Sequence, residues 1–221
     1  MEMQTVRFWF SKTGRAKYIS HLDLMRAMTR AFRRTHLPVW YTEGYHPHLH
    51  LTFGQPLSLG FESDCEPMEV KQTAPFDRKE AITLLNQMLP PDIRVYACED
   101  AARKLDQLVF SEYRVTLRYE DGEPLPTPEQ YNEFVRQDEI PVEKKTKRGV
   151  AKFNLAPLLE MTRAVQTESG LELTVILPCG PQNHVNPGLV TEAFAGYLGR
   201  TAVVNVRRTA VFDEDLKPFN L

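Results

Sequence analysis

Hydrophobic and polar positions in the first half of the chain follow an order that predicts strand, helix, strand, strand, helix, strand. Residues 6–10 alternate and are aromatic, which predicts a strand. Ser20 predicts a helix N-cap, because Asp23 follows three residues later and apolar residues then recur at helical spacing until Pro38. Apolar runs predict strands at 39–41, 49–53, 68–72 and 94–98, of which the first two form one irregular strand. Asp77 predicts the cap of a second helix.

The second half repeats this order without repeating the sequence. Strands are predicted at 112–119, 142–147, 163–167, 171–177 and 203–212, with one helix at 129–136 and another that begins at Asn186-Pro187. The patterns together predict an α+β fold of two tandem ferredoxin-like (βαββαβ) domains, at 1–104 and 105–221.

The composition is that of a soluble globular protein, with 42% hydrophobic and 25% charged residues in a chain of 221. No apolar run approaches the roughly 20 residues that span a bilayer, and the N-terminus does not resemble a secretory signal. The three cysteines are far apart and form no CxxC pair, which predicts reduced thiols and a cytoplasmic location.

Charge is distributed unevenly along the chain, although the net charge is only −2. Residues 1–50 contain eight Lys+Arg and three Asp+Glu (+5), residues 51–140 contain nine and eighteen (−9), and residues 141–221 contain ten and eight (+2). The total excludes a uniformly basic nucleic-acid coat and an acidic disordered tail. The first fifty residues are therefore the place to look for a polyanion site.

A basic loop and the helix after it form the main candidate anion site. Three helix arginines at spacings of four and three predict one basic face, and three further basic residues surround the glycine of the preceding loop. These candidates are Lys12, Arg15, Lys17, Arg26, Arg30 and Arg33. Loop amides and a helix N-terminus can also hold an anion. The alternative is a solvated helix face with no ligand.

A second basic run lies in the predicted strand region of the second half. It contains Lys144, Lys145, Lys147 and Arg148. At a hairpin tip these residues could reach a phosphate backbone, where each contact adds a salt-dependent increment to affinity. A solvated hairpin is the alternative.

Three segments of the first half carry a family resemblance: residues 10–26 (FSKTGRAKYISHLDLMR), the region 37–48 and residues 56–60 (PLSLG). They resemble the bacterial radical SAM-linked protein family, a domain of unknown function that is found alone or fused to cobalamin-binding radical SAM enzymes. The resemblance implies a radical SAM enzyme as partner. It also implies that S-adenosylmethionine, an iron–sulfur cluster and cobalamin belong to that partner, and that this chain has no cofactor of its own.

A histidine-rich segment follows the basic helix. His46, His48 and His50 occupy alternate positions, which in a strand would place them on one face as candidate metal ligands. The alternative is a hydrogen-bonded loop in which His48 braces the first helix. His21, Tyr45 and His48 are candidates for orienting a substrate, including RNA.

These observations favour an accessory module of a radical SAM enzyme system that binds RNA through the basic loop and helix. We expect a binding module rather than an enzyme, and no catalytic residue stands out. Two alternatives remain open: a protein-interaction subunit that docks the radical SAM partner without RNA, and a metal-dependent enzyme centred on His46–His50.

Overall fold

The computed structural model describes residues 3–146, 149–180 and 183–219, with the side chains of residues 145 and 146 outside the description. The chain divides into two compact units, one formed by residues 1–108 and 210–221 and the other by residues 109–209. The division falls after residue 108 rather than after 104, and the C-terminal segment returns to the first unit. Within the described ranges, no helix is long and apolar enough to cross a membrane.

The first unit contains four strands and two α-helices among its described residues. They are β1 (Gln4–Lys12), α1 (His21–Thr35), β2 (Leu51–Phe53), β3 (Glu62–Gln72), α2 (Arg78–Met88) and β4 (Ile93–Asp100). The strand order is β4-β1-β3-β2, and each neighbouring pair is antiparallel. The predicted strand at 39–41 forms only isolated bridges, Val39 with Gln72 and Tyr41 with Leu49.

Helix α1 begins where the sequence predicts, because Ser20 accepts a hydrogen bond from the Asp23 amide. It ends at a left-handed residue, His36, two residues before Pro38. Its apolar side packs on β1, where Phe8 meets Phe32 edge-on with ring centroids 5.4 Å apart.

Strand β1 is buried on both faces. Val6, Phe8 and Phe10 belong to the core cluster that includes residues of both helices. The intervening side chains, Arg7 and Trp9, are buried as well, with Arg7 only 2% exposed. The second face of this strand is therefore also an interior surface, although it carries a charged residue.

Buried Arg7 is neutralised across the sheet and ties the C-terminal segment to the first unit. Its Nη2 lies 2.5 Å from Oε1 of Glu69, its direct partner on β3, and it also donates to the Arg103 carbonyl. The Phe219 ring lies under two guanidiniums, 4.9 Å from Arg7 and 4.2 Å from Arg103. Arg103 pairs in turn with Asp213 at 3.0 Å. Residues far apart in sequence thus close one buried network.

The second unit repeats the strand arrangement and adds a hairpin. Its elements are β5 (Phe110–Arg118), α3 (Pro128–Val135), β6 (Pro141–Thr146), β7 (Gly149–Asn154), β8 (Arg163–Thr167), β9 (Gly170–Pro178), α4 (Pro187–Leu198) and β10 (Val203–Phe212). The last three residues of β10 are counted with the first unit. The main sheet order is β10-β5-β9-β8, and β6 and β7 form a separate two-stranded sheet. Sequence patterning missed β7. The helices meet through the rings of Tyr131, Phe134 and Phe194.

Replacing Phe219 with Ala should lower the free energy of unfolding of the first unit by about 3 kcal/mol, because a buried ring and its two guanidinium contacts are lost. Urea denaturation followed by tryptophan fluorescence measures this, since both tryptophans, Trp9 and Trp40, lie in that unit. Lys217→Ala is the control, because the Lys217 side chain is 70% exposed and should contribute within about 0.5 kcal/mol. Equal urea midpoints for the two variants would contradict the packing role of Phe219.

Candidate nucleic-acid interface

The exposed side of α1 carries Arg26, Arg30 and Arg33, which together we call the arginine face. Arg26 pairs with Asp23 at 3.0 Å, and Asp23 is the only acidic residue of the helix. Arg30 donates to the Arg26 carbonyl, and neither Arg30 nor Arg33 forms an ion pair with any described residue. The positive charges of Arg33 and Arg34 in the last turn also interact favourably with the negative end of the helix dipole. The arginine face keeps most of its positive charge uncompensated.

Lys12 does not belong to this surface, contrary to the prediction. The residue is 2% exposed, and its ammonium donates to the Lys17 carbonyl at 3.4 Å. Burial lowers the pKa of Lys12, and the carboxylate of Glu66 partly opposes that shift. Lys12 is an interior cation of the first unit, because β1 extends through it instead of ending in a loop.

The loop amides are not open to an external anion either. The Gly14 amide donates to Glu62 Oε1 at 2.8 Å, and the Arg15 amide donates to Asp92 Oδ2 at 2.9 Å. Gly14 has a φ of +53°, and a Cβ there would lie 3.0 Å from the Asp92 carboxyl carbon. The prediction that these loop amides bind an external anion was therefore wrong. The carboxylates of Glu62 and Asp92 accept their hydrogen bonds instead.

Arg15 and Lys17 remain near the surface beside α1. The Arg15 side chain is exposed, and the Lys17 ammonium lies 5.3 Å from the centre of the Tyr18 ring. Tyr18, Leu22 and Leu59 are large exposed hydrophobic residues. The Gly60 amide donates to the Lys17 carbonyl, and this bond brings the segment with Leu59 close to the segment with Tyr18. The surface next to the arginine face is thus both apolar and basic.

The histidine-rich segment forms a braced loop. The Thr42 amide donates to the His48 carbonyl at 2.8 Å, and Thr42 Oγ1 lies 2.8 Å from His48 Nδ1. Tyr45, which is 94% exposed, lies in the part of the loop between these two bonded residues. His48 therefore braces its own loop and not the first helix. His21 lies elsewhere, edge-on to Phe53 at 5.2 Å.

The structure does not bring His46, His48 and His50 together as metal ligands. The His46 ring meets Tyr45, while the His50 ring lies 5.3 Å from Trp40. Throughout the described part of the chain, no group of three or more His, Cys, Asp or Glu side chains is placed to hold a metal ion. The expected alternation fails because the loop containing Pro47 is not a strand.

The structure describes only part of the second basic run. Lys144 lies on β6 with its ammonium bonded to the His184 carbonyl, so it is not at a hairpin tip. Lys147 and Arg148 lie outside the described residues, as does the side chain of Lys145.

Sequence reasoning missed Tyr18 and Leu22 as surface residues. Leu22 lies four residues before Arg26, so it continues the arginine face and not the buried face of Leu24 and Met28. The helical spacing contained this signal. Tyr18 had no comparable signal, since it lies in the short 3₁₀ turn Gly14–Tyr18 that no periodicity predicts.

These features define a two-unit α+β protein with a basic helical face. Residues 5–187 match the family described as "Uncharacterized protein conserved in bacteria (DUF2344)". The chain belongs to this family. No curated protein matches it.

Two solved structures are similar at low identity. "Crystal Structure of a Cbf5-Nop10-Gar1 Complex" is 13% identical with a TM-score of 0.48, and the match covers 94% of this chain and 50% of that chain. This chain thus spans about half the length of that one. "Crystal Structure of an Unknown Protein from Galdieria sulphuraria" is 11% identical with a TM-score of 0.27, covering 94% of this chain and 99% of that one.

Lys12→Met should lower the free energy of unfolding by about 1–3 kcal/mol, because its bond to the Lys17 carbonyl is lost and Glu66 keeps a buried carboxylate. Urea denaturation measures the effect, with exposed Lys79→Met as the control. Equal urea midpoints for the two variants would contradict the interior role of Lys12.

The thiols should be unreactive in the folded protein. Burial raises the pKa of Cys98 to about 12, with Arg78 acting in the opposite direction, while Cys65 and Cys179 are buried. At pH 8 Cys98 is therefore in the unreactive thiol form. We expect Ellman's reagent to label less than one thiol per chain within minutes at pH 8, and all three in guanidinium. Rapid stoichiometric labelling of the folded protein would reveal a nucleophilic cysteine instead.

Proposed function

We propose that this protein is an accessory module that binds RNA through the arginine face of α1. The observation that carries the proposal is that Arg30 and Arg33 are exposed and form no ion pair with a described residue, on a helix whose only acid already pairs with Arg26. An array of uncompensated guanidiniums suits a phosphate backbone, because each contact releases condensed counterions.

The way the other early cations are neutralised supports the same choice. Strand β3 supplies Glu69 to Arg7 and Glu66 to the surroundings of Lys12. The acidic segment of the chain thus compensates the buried cations of β1. Arg26, Arg30 and Arg33 instead lie on the exposed side of α1, where a polyanion can reach them.

Exposed aromatic side chains of the first unit favour a single-stranded ligand. Tyr18 lies next to Lys17 at the start of α1, and Tyr45 projects from its braced loop. Exposed rings can stack on unpaired bases irrespective of sequence. Within the proposal, His21 and His48 act by positioning Phe53 and Thr42, and Arg15 adds a further phosphate contact.

A tandem ferredoxin-like fold is also part of the proposal. The strand orders β4-β1-β3-β2 and β10-β5-β9-β8 are equivalent in the two units, with the β6–β7 hairpin as an insertion in the second. Two helices accompany each sheet in the order of the βαββαβ motif.

We further propose a radical SAM enzyme as the partner, on the resemblance of residues 10–26 and 56–60 to the radical SAM-linked family. In this arrangement the partner holds the S-adenosylmethionine, the iron–sulfur cluster and the cobalamin, and this chain delivers the RNA. A cytoplasmic location belongs to the same proposal, and reduced cysteines fit it.

One observation favours docking to a protein as the second candidate. Tyr18, Leu22 and Leu59 are exposed apolar residues near the basic surface, and interface cores are enriched in such aromatic and aliphatic contacts. An acidic patch on the partner enzyme would then meet the arginine face without RNA.

Reversing the arginine face should abolish most RNA binding. We expect the triple variant Arg26→Glu, Arg30→Glu, Arg33→Glu to bind a labelled 20-nucleotide uridine oligomer at least tenfold more weakly at 50 mM salt. The slope of log affinity against log salt should fall by about 2, because each single-strand phosphate contact contributes roughly 0.7. Fluorescence anisotropy from 50 to 200 mM potassium chloride measures both quantities.

The control reverses three exposed arginines elsewhere, Arg94, Arg136 and Arg163, so that the net charge changes equally. Equal RNA affinity of the two triple variants would overturn the RNA proposal. A pull-down of the radical SAM enzyme that survives nuclease treatment but is lost in the arginine-face variant would favour protein docking.

A further inference from the structure

Two cavities in the second unit border the same lysine, Lys144. The first has a volume of about 370 Å³ and is walled mainly by Ala151, Phe153, Leu158, Pro178 and Val185. The second, of about 360 Å³, is more polar and is lined by His184, Asn186 and Glu192 among others. Both volumes are within the range of small-molecule sites.

The segment 183–186 lies between the two cavities. Asn183 and Val185 line the apolar cavity, whereas His184 and Asn186 line the polar one. Side chains of an extended segment alternate in this way. The Val185 amide donates to the Pro178 carbonyl at 2.8 Å, which fixes the segment against the end of β9. The apolar cavity is thus a built feature of the second unit.

Lys144 brings a positive charge to the edge of the apolar cavity. Its position on β6, opposite Ala151 on β7, directs it to the cavity that Ala151 also lines. The ammonium donates one hydrogen bond to the His184 carbonyl. An ammonium has three donors, so two remain for a ligand. Lys144 forms no ion pair with any carboxylate of the described residues.

Two cations, Lys144 and Arg208, act on His184. The pKa of His184 is lowered, first by burial and then by the charges of Arg208 and Lys144. Arg208 is buried and donates to the Tyr113 hydroxyl at 3.3 Å. Glu192 is an exposed residue that lines the polar cavity together with Lys144. An anion that reaches Lys144 therefore meets one ammonium, with the carboxylate of Glu192 at the neighbouring cavity.

We propose that the apolar cavity of the second unit binds a small organic anion, whose charged group meets Lys144 and whose apolar body packs against Phe153, Leu158 and Val185. An apolar wall with one fixed charge at its edge suits a ligand that has both parts, because a fully charged polymer would leave the wall uncovered. This site is independent of the arginine face and of any RNA.

The probe for the test is 8-anilinonaphthalene-1-sulfonate, an apolar ring system with one anionic group. We expect the intact protein to bind one probe per chain saturably, with fluorescence enhancement. Lys144→Met should weaken this binding at least tenfold, whereas Lys144→Arg should retain it. Ala151→Trp should abolish it by filling the cavity. Lys152→Met is the matched control, since Lys152 is an exposed lysine of the same hairpin.

The uncharged analogue N-phenyl-1-naphthylamine separates charge recognition from packing. Its affinity should be unchanged in Lys144→Met and lost in Ala151→Trp. Equal affinities of the sulfonate probe for the Lys144→Met and Lys152→Met variants would overturn the proposal, and so would non-saturable binding. The arginine-face variant should bind the probe normally, so that this outcome is distinct from failure of the RNA proposal.

Discussion

The first unit depends on one constraint: a central strand that is buried on both faces must still accommodate charged side chains. Strand β1 contributes Val6, Phe8 and Phe10 to the core beneath the helices, and it carries Arg7 and Lys12 into the interior as well. A buried cation without a partner is strongly unfavourable, so β3 must place carboxylates opposite it. The antiparallel register of Arg7 with Glu69 meets this requirement.

This constraint also determines which charges remain at the surface of the first unit. Glu62 and Asp92 occupy the amides of the early loop, and Glu69 neutralises Arg7. What is left is a helix with exposed arginines that the interior does not need. Lys144 in the second unit is placed differently from these cations. It is neither buried beside a carboxylate nor exposed at a hairpin tip, and it borders an apolar cavity.

Local patterns predicted the elements well because each depends on near neighbours. Ser20, Asp77 and Asn186 cap the helices that the sequence assigns to them, since capping involves only residues two or three positions away. The strands at 163–167 and 203–212 have the predicted bounds. Strand β7 was missed because its side chains are largely exposed and it pairs only with β6, so no alternation marks a buried face.

The sequence by itself determined the order of the α-helices and of the strands other than β7, the uneven distribution of charge and the helical spacing of Arg26, Arg30 and Arg33. These features follow from residue type and short-range geometry. Only the tertiary structure decided that Lys12 is interior, that the Gly14 amide binds Glu62, and that three alternating histidines have separate neighbours. Those outcomes depend on pairing between residues tens of positions apart, and linear spacing contains no information on that pairing.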